Sequence, residues 1–219
     1  MIDTIIFDAE GVVVDSEGVW DKGQEEFLRR RGLVYDRDAV KPLLTGRSVL
    51  QGVRAMQDFY GFAGDPEELA KERTAIMQDF FKNSLSFIDG FENFYESIKD
   101  QYQTCIATSM DKDLLAIADL YLGLSELFQD NVFSIAHVGY LAKPCPDLFL
   151  YAARMLNASV TNCLVIEDAP YGVEAARRAG MKCIALTTTY SREKLLKADL
   201  IVDRYSRIDL DRFCSTMLS

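Results

Sequence analysis

The sequence predicts an α/β protein with a doubly wound parallel sheet and an inserted all-helical domain. Short apolar runs, typical of strands buried on both faces, alternate with helical patterns of about ten residues. One long segment, residues 16–87 of the 219, interrupts this alternation and carries no clear strand signal. The alternation therefore predicts a Rossmann-like core, and the interruption predicts a helical insertion after the first strand.

Five apolar runs predict the strands of this core. They cover residues 2–7, 104–107, 163–166, 182–186 and 200–202. Helical patterns between and after these runs cover residues 112–122, 146–156, 171–179 and 191–197. Gly180 follows the third of these patterns, where glycine commonly ends a helix.

Four further helices are predicted within the insertion. They cover residues 20–31, 38–44, 49–60 and 66–82, and the longer ones carry large apolar residues at three- and four-residue spacing. The predicted domains are therefore a discontinuous core of residues 1–15 and 88–219, and a helical domain of residues 16–87.

The composition excludes several classes of protein. A net charge of −10 argues against binding to nucleic acid or to an anionic membrane surface, because such partners select basic faces. No apolar run approaches the roughly 20 residues that span a bilayer, and the first eight residues do not resemble a signal peptide. The five cysteines are scattered and never spaced as CxxC, which indicates packing residues in a reducing cytoplasm.

Polar side chains follow the predicted strands at the points where the strands end. These residues are Asp8, Glu10, Thr108, Ser109, Lys143, Glu167 and Asp168. Because the carboxyl ends of parallel strands meet at one edge of a sheet, we expect these side chains to lie close together. Carboxylates at this density repel one another unless a cation lies among them, and oxygen ligands suit Mg²⁺. The hydroxyls and the lysine match a phosphate, so the set predicts phosphoryl transfer.

Four motifs occur in order at these strand ends. They are FDAEGVVVDSE at 7–17, IATS at 106–109, KPCPDLF at 143–149 and VIEDAPYGV at 165–173. Together they resemble the motifs of the haloacid dehalogenase superfamily, in the branch with a helical cap domain that holds small-molecule phosphatases and β-phosphoglucomutase. The resemblance covers nearly the whole chain. It implies a Mg²⁺-dependent phosphatase of a small phosphorylated metabolite, monomeric or weakly dimeric.

The resemblance also implies roles for individual residues. Asp8 is expected to be the nucleophile and a metal ligand, and Glu10 to be the acid/base and a ligand through its carbonyl. Thr108 and Lys143 are expected to bind the transferring phosphoryl oxygens. Asp168 is expected to hold Mg²⁺. The remaining candidates are Glu167 as a second metal ligand, Ser109 for phosphate and Arg47 in the helical domain for substrate.

Two departures from the family pattern leave alternatives open. Glu10 stands where the phosphatases and mutases usually carry Asp, which leaves open a catalytically weakened protein that binds a phosphorylated ligand or a protein partner. A purely structural relative is a further alternative, but the intact set of Asp8, Thr108, Lys143 and Asp168 disfavours it. The mutase's histidine after the Asp-Ser/Thr pair has no counterpart near Trp20, and its arginine after Gly-x-Ser is replaced by Val49. Both differences favour water as the acceptor, and a phosphosugar mutase is the alternative enzyme.

Other candidates have more ordinary interpretations. Thr108 and Ser109 are also suited to capping the helix that follows them. His137 has no partner histidine or nearby cysteine, which favours a loop position over a ligand. No motif places a histidine to activate the thiol of Cys145, so a nucleophilic role there is disfavoured.

Overall fold

The computed structural model describes residues 2–44 and 49–216. The chain forms two units: one contains the residues up to Asp15 and from Ser86 onward, and the other contains Ser16–Leu85. We call the α/β part the core unit and the part from Ser16 to Leu85 the helical unit. The strands are β1 (Thr4–Phe7), β2 (Val14–Asp15), β3 (Ser86–Phe87), β4 (Gln103–Thr108), β5 (Val132–Ser134), β6 (Cys163–Glu167), β7 (Lys182–Leu186) and β8 (Leu200–Val202). The helices are α1 (Glu17–Arg29), α2 (Arg37–Leu44), α3 (Val49–Tyr60), α4 (Pro66–Ser84), α5 (Phe91–Ile98), α6 (Lys112–Leu122), α7 (Leu124–Leu127), α8 (Asp147–Met155), α9 (Pro170–Ala179) and α10 (Leu210–Thr216).

Six strands of the core unit form one parallel sheet in the order β5-β4-β1-β6-β7-β8. The strands β1 and β6 are buried at every residue, as expected where helices cover both faces. The order runs outward in both directions from β1, so the chain reverses its winding beside the first strand. This confirms the predicted doubly wound α/β fold and places the edge expected to bind ligand at the carboxyl end of β1.

Two packed layers hold the sheet. On one side, Ala, Val and Cys side chains of the strands pack against α8 and α9. On the other, the ring of Phe7 lies edge-on to several aromatic rings, with centroids 5.7 to 6.4 Å away. These rings belong to Phe91, Phe94, Tyr95 and Phe128. We call this group, with Tyr205, the aromatic cluster. Aromatic pairs of this geometry add to the stability that burial alone provides.

The helical unit has a core of its own. Phe27 and Leu28 of α1 pack with Val40, Val53, Met56 and Ile76 from the other three helices. The carboxylate of Asp65 accepts hydrogen bonds from two backbone amides at the start of α4, and Pro66 occupies the first helical position. Trp20 lies edge-on to Phe81 with the ring centroids 5.7 Å apart.

The structure corrects several of the predicted elements. Residues 191–197 are not an α-helix, because only Arg192–Lys194 form a turn of 3-10 helix. Leu195 is fully buried but Leu196 is exposed, so the segment has no continuous apolar stripe to pack. The sequence analysis also missed α5 and the short edge strand β5.

Candidate active site

Asp8 is the first residue beyond β1, at the centre of the sheet. Phe7 is paired with Ile106 of β4 and with Ile166 of β6. The backbone N–H of Asp8 donates to the carbonyl of Ile166 at 2.9 Å. The side chain therefore projects from a backbone that is held on both sides.

Lys143 connects two carboxylates at this edge. Its Nζ donates to Oδ1 of Asp8 and, at 2.7 Å, to Oε1 of Glu167. The Lys143 side chain is 8% exposed and that of Glu167 1%. Burial favours the neutral amine, but the charges of Asp8 and Glu167 outweigh it and hold the pKa of Lys143 above its ordinary value. Lys143 is therefore a permanent ammonium group at the site.

Glu167 is fully engaged by the protein. Its second oxygen, Oε2, accepts hydrogen bonds from the backbone N–H groups of Asp168 and Ala169, both at 2.8 Å. The carboxylate also lies against Gly172, where a Cβ atom would come within 1.6 Å of Oε1. Both oxygens of Glu167 thus serve to hold Lys143 and the turn that leads into α9.

Asp168 lies beside Asp8 but without the same cation on its carboxylate. Its side chain is hydrogen-bonded to Thr189, and burial, with the charges of Glu167 and Asp8, raises its pKa well above the usual value. Gly11 lies so close that a Cβ there would be 2.0 Å from Oδ2 of Asp168. Position 11 therefore accepts only glycine while the carboxylate keeps this place, and its φ of +73° suits glycine as well.

The pKa of Asp8, like that of Asp168, is raised by burial and by neighbouring carboxylates. Burial raises its pKa to about 7, Lys143 opposes this shift, and the charges of Glu167 and Glu10 reinforce it. Two neighbouring buried acids with raised pKa values form a site that a further cation would stabilise.

The donor set fits Mg²⁺ bound in part by water and substrate. Within the described residues, no group of three or more His, Cys, Asp or Glu side chains is arranged to hold a metal ion. Mg²⁺ commonly takes only one or two protein carboxylates and completes its shell with water and phosphate oxygens. Asp8 and Asp168 supply such a pair.

Thr108 and Ser109 end the strand next to β1. Thr108 is buried, and its hydroxyl accepts the backbone N–H of Met110 at 3.0 Å, whereas Ser109 is exposed. Neither residue caps the next helix, because Asp111 accepts the N–H groups of Asp113 and Leu114 at the start of α6. The capping interpretation of Thr108 and Ser109 is therefore wrong.

Three further sequence candidates lie outside this arrangement or at its margin. Glu10 is half-buried on the loop after β1, and its charge acts on Asp8. Arg47 lies outside the described residues. His137 accepts the backbone N–H of Ser134 through Nδ1 at 3.1 Å, so it caps the short turn that follows β5.

Sequence reasoning missed the hydroxyls that hold the loop after β1. Thr188 donates to the carbonyl of Gly11, and Tyr205 donates to the carbonyl of Val12 at 2.9 Å. Together with Thr189 on Asp168, these groups come from the segments that follow β7 and β8. The run of three threonines at 187–189 directly follows a predicted strand, and the argument applied to Thr108 would have singled it out.

Comparison with known proteins identifies the family. Residues 2–180 match the model of the haloacid dehalogenase-like hydrolases. The chain belongs to this family, and the predicted fold, family and enzyme class, a hydrolase of phosphoric monoesters, are confirmed.

Two curated relatives and one solved structure illustrate the match. The chain is 32% identical to a fructose-1-phosphate phosphatase of Escherichia coli K12, over 82% of this chain and 94% of that protein. It is 31% identical to a validoxylamine A 7'-phosphate phosphatase of Streptomyces hygroscopicus subsp. limoneus, over 92% and 93% of the two chains. A family IA, variant 3 hydrolase from Entamoeba histolytica has a TM-score of 0.84 at 23% identity, covers all of both chains and shares the fold.

No helix in the described part of the chain is long and apolar enough to cross a membrane.

Proposed function

We propose that the protein is a Mg²⁺-dependent phosphatase that hydrolyses a small phosphorylated metabolite through an aspartyl phosphate on Asp8. One observation carries the proposal: Lys143 joins Asp8 to Glu167 at the carboxyl edge of the sheet, next to the buried carboxylate of Asp168. The nucleophile Asp8, the ammonium group of Lys143 and the further carboxylate of Asp168 lie in one buried cluster. This combination suits the transfer of a phosphoryl group.

The first step transfers the phosphoryl group to the protein. An oxygen of Asp8 attacks phosphorus in line with the ester oxygen, the bond to that oxygen breaks, and its electron pair stays with the leaving group. Glu10 gives the leaving oxygen its proton. Lys143, the hydroxyl of Thr108 and Ser109 hold the equatorial oxygens, so charge is neutralised where it develops.

The second step returns the enzyme to its starting state. Glu10, now ionised, takes a proton from water as that water attacks phosphorus. The bond between Asp8 and phosphorus breaks, and inorganic phosphate leaves. The same carboxyl group therefore serves as acid in one step and base in the next.

Asp8, Asp168 and the backbone carbonyl of Glu10 would hold Mg²⁺, which supplies positive charge beside the transferring group when it is bound. Glu167 is a positioning residue in this proposal, because both of its oxygens are already hydrogen-bonded to Lys143 and to backbone amides. This assigns the metal-binding role to Asp168 rather than to Glu167.

The named relatives support a sugar-phosphate-like substrate. Fructose 1-phosphate and validoxylamine A 7'-phosphate are phosphate esters of hydroxyl-rich molecules. We propose a cytoplasmic substrate of this class, selected by the helical unit, with Arg47 as a candidate contact.

A substrate panel tests the proposal. Release of inorganic phosphate from sugar, polyol and nucleoside monophosphates is measured with Mg²⁺ and with EDTA, for the natural protein, for Asp8→Asn and for the exposed control Asp113→Asn. We expect Mg²⁺-dependent release that Asp8→Asn abolishes and Asp113→Asn retains. Turnover in EDTA or by Asp8→Asn would contradict the mechanism. Formation of a sugar-phosphate isomer without free phosphate would favour the mutase, and no turnover of any ester would favour a ligand-binding protein.

A further inference from the structure

The loop after β1 is held by two side chains from the last third of the chain. Within the loop, the carbonyl of Ala9 accepts the backbone N–H groups of residues 12–14, at 2.8 to 3.3 Å. The carbonyls of Gly11 and Val12 accept hydroxyl groups instead, from Thr188 and Tyr205 respectively. Two consecutive peptide units are thus anchored to segments almost 180 residues or more away in sequence.

These hydroxyls are the protein's means of satisfying buried backbone. Val12 is fully buried and Tyr205 is 1% exposed, so water does not readily replace the Tyr205 hydroxyl, whereas the bond from Thr188 to Gly11 is partly buried. Buried carbonyls without a partner are rare because they are costly. The loop therefore keeps its place on the segments after β7 and β8 for as long as both hydroxyls are present.

Glu10 directly precedes the two anchored carbonyls. Its carboxyl group stands at the end of a side chain one methylene longer than the aspartate usual in the family, so it has one more rotatable bond. A displacement of about 1 Å in a catalytic group can cost about 10²-fold in rate. The backbone of Glu10 therefore has to be held in place if its carboxyl group is to lie within hydrogen-bonding distance of the leaving oxygen.

We propose that Thr188 and Tyr205 are positioning residues that set the place of Glu10 for proton transfer. The inference rests on the proposed function, since it takes Glu10 as the acid. Asp8 is held by Ile166 and Lys143 rather than by these anchors, so loosening either anchor is expected to move the loop that carries Glu10 more than the nucleophile.

The chain offers a matched control for Tyr205. Tyr95 belongs to the same aromatic cluster, is 4% exposed, and donates its hydroxyl to the carbonyl of Leu127 at 2.6 Å. Tyr95→Phe therefore removes the same atom from the same cluster, but the carbonyl that loses its donor belongs to Leu127, outside the loop after β1, and the hydroxyl also contacts Thr104 at 3.3 Å. Any effect of general loosening appears in both variants.

The experiment compares two esters that differ in their need for an acid. Phenolate is a strong base and leaves with help from a proton, whereas p-nitrophenolate leaves without it. The readout is the ratio of kcat/KM for phenyl phosphate to kcat/KM for p-nitrophenyl phosphate. Because kcat/KM reports the steps up to formation of the phosphoenzyme, and because the active enzyme concentration cancels in the ratio, loss of folded protein does not move it.

We expect the ratio to fall about tenfold in Thr188→Val and in Tyr205→Phe. In Glu10→Gln, which removes the acid itself, we expect it to fall further. Thr188→Ser, which keeps a hydroxyl, is expected to restore it, and Tyr95→Phe is expected to leave it unchanged. If one anchor variant does not fold, the other carries the test alone.

Each other outcome has a definite meaning. A natural ratio in both anchor variants, with a lowered ratio in Glu10→Gln, would overturn this inference and leave the proposed function standing. An equal fall in Tyr95→Phe would also overturn it. An unchanged ratio in Glu10→Gln would remove the acid role from the proposed function, and the inference with it.

Discussion

Each unit of the molecule buries a cation, and the partners described for the two cations differ in charge. Lys143 of the core unit contacts two carboxylates, which hold its pKa above the ordinary value despite burial. Arg73 of the helical unit donates to Oε1 of Gln24 at 2.9 Å and to the carbonyl of Val49 at 3.4 Å. Burial lowers the pKa of Arg73 to about 10, and the partners described for its side chain are neutral oxygens.

The partners of the two cations indicate different roles, a structural one for Arg73 and one in the candidate active site for Lys143. Neutral oxygens from α1 and α3 accept the protons of Arg73, so this side chain fastens α4 to two other helices. Lys143 instead lies between two acids that would otherwise repel, and one of them, Asp8, has a pKa raised to about 7. Burial of a charge by itself does not indicate a reactive site, whereas burial among opposite charges with an excess of acid does.

Removing each cation should give the largest contrast. Lys143→Met leaves two buried carboxylates without their counter-charge, which typically costs about 3–5 kcal/mol of unfolding free energy. Arg73→Met leaves two neutral oxygens without a donor, for which about 1–3 kcal/mol is expected. Urea denaturation at pH 8 in EDTA measures both.

The difference between the losses of unfolding free energy in Lys143→Met and Arg73→Met should become smaller at lower pH. Protonation of Asp8 removes one of the two charges that Lys143 offsets, so the cost of Lys143→Met should shrink at pH 5 while that of Arg73→Met stays constant. Equal costs for the two variants at pH 8, or a cost for Lys143→Met that grows on acidification, would contradict the assignment.

Glycine substitutions should give a smaller contrast of the same kind. In Gly172→Ala the new Cβ overlaps the carboxylate of Glu167 and displaces it, for a loss of about 1–3 kcal/mol and of activity. Gly18→Ala in α1 meets nothing within 4 Å, so it should stabilise the protein by about 0.5–1 kcal/mol. Thermal unfolding and phosphate release measure the two effects, and a neutral Gly172→Ala would show that Glu167 is free to move.

The last effect concerns the pH dependence of the free energy of unfolding without metal. Because the pKa of Asp8 rises from 3.8 in the unfolded chain to about 7 in the folded one, its contribution to stability is complete below about pH 4 and is lost as the pH rises through 7. Asp8→Asn should therefore be the more stable protein at pH 8, by on the order of 4 kcal/mol for a shift of about three pKa units, and should lose most of this advantage by pH 5.

Urea midpoints from pH 5 to 8 in EDTA test this, and Mg²⁺ provides the control. Mg²⁺ should stabilise the natural protein more than Asp8→Asn, since the ion offsets the repulsion that the substitution removes. Parallel stability curves for the two proteins would rule out a raised pKa at Asp8.

The parallel sheet was predictable because its inner strands are buried on both faces and therefore apolar throughout. The runs at 182–186 and 200–202 coincide with β7 and β8. The strand β5 has only three residues, too few for a periodic signal. The helix α5 carried a signal that was not used, since its buried residues recur at the spacing of one helix face, namely Phe91, Phe94, Tyr95 and Ile98.

The site divides in a similar way. Asp8, Lys143, Glu167 and Asp168 were predictable as neighbours because strand ends converge on one edge, and the structure brings all four together. Their division of labour was not, because only coordinates show that both oxygens of Glu167 are already bonded. Tyr205 escaped because its partner is a backbone carbonyl, and such a contact leaves no pattern in the sequence.

Trp20, which contacts Phe81, is an intrinsic fluorescent probe of the helical unit. The chain contains one tryptophan, and it lies in the helical unit, whereas the rings packed under β1 are phenylalanines and tyrosines of the core unit. Tryptophan fluorescence therefore comes from a residue of the helical unit, and the near-ultraviolet circular dichroism of tyrosine and phenylalanine is weighted towards the core unit. Recording both signals in one titration separates the melting of the two units without any label.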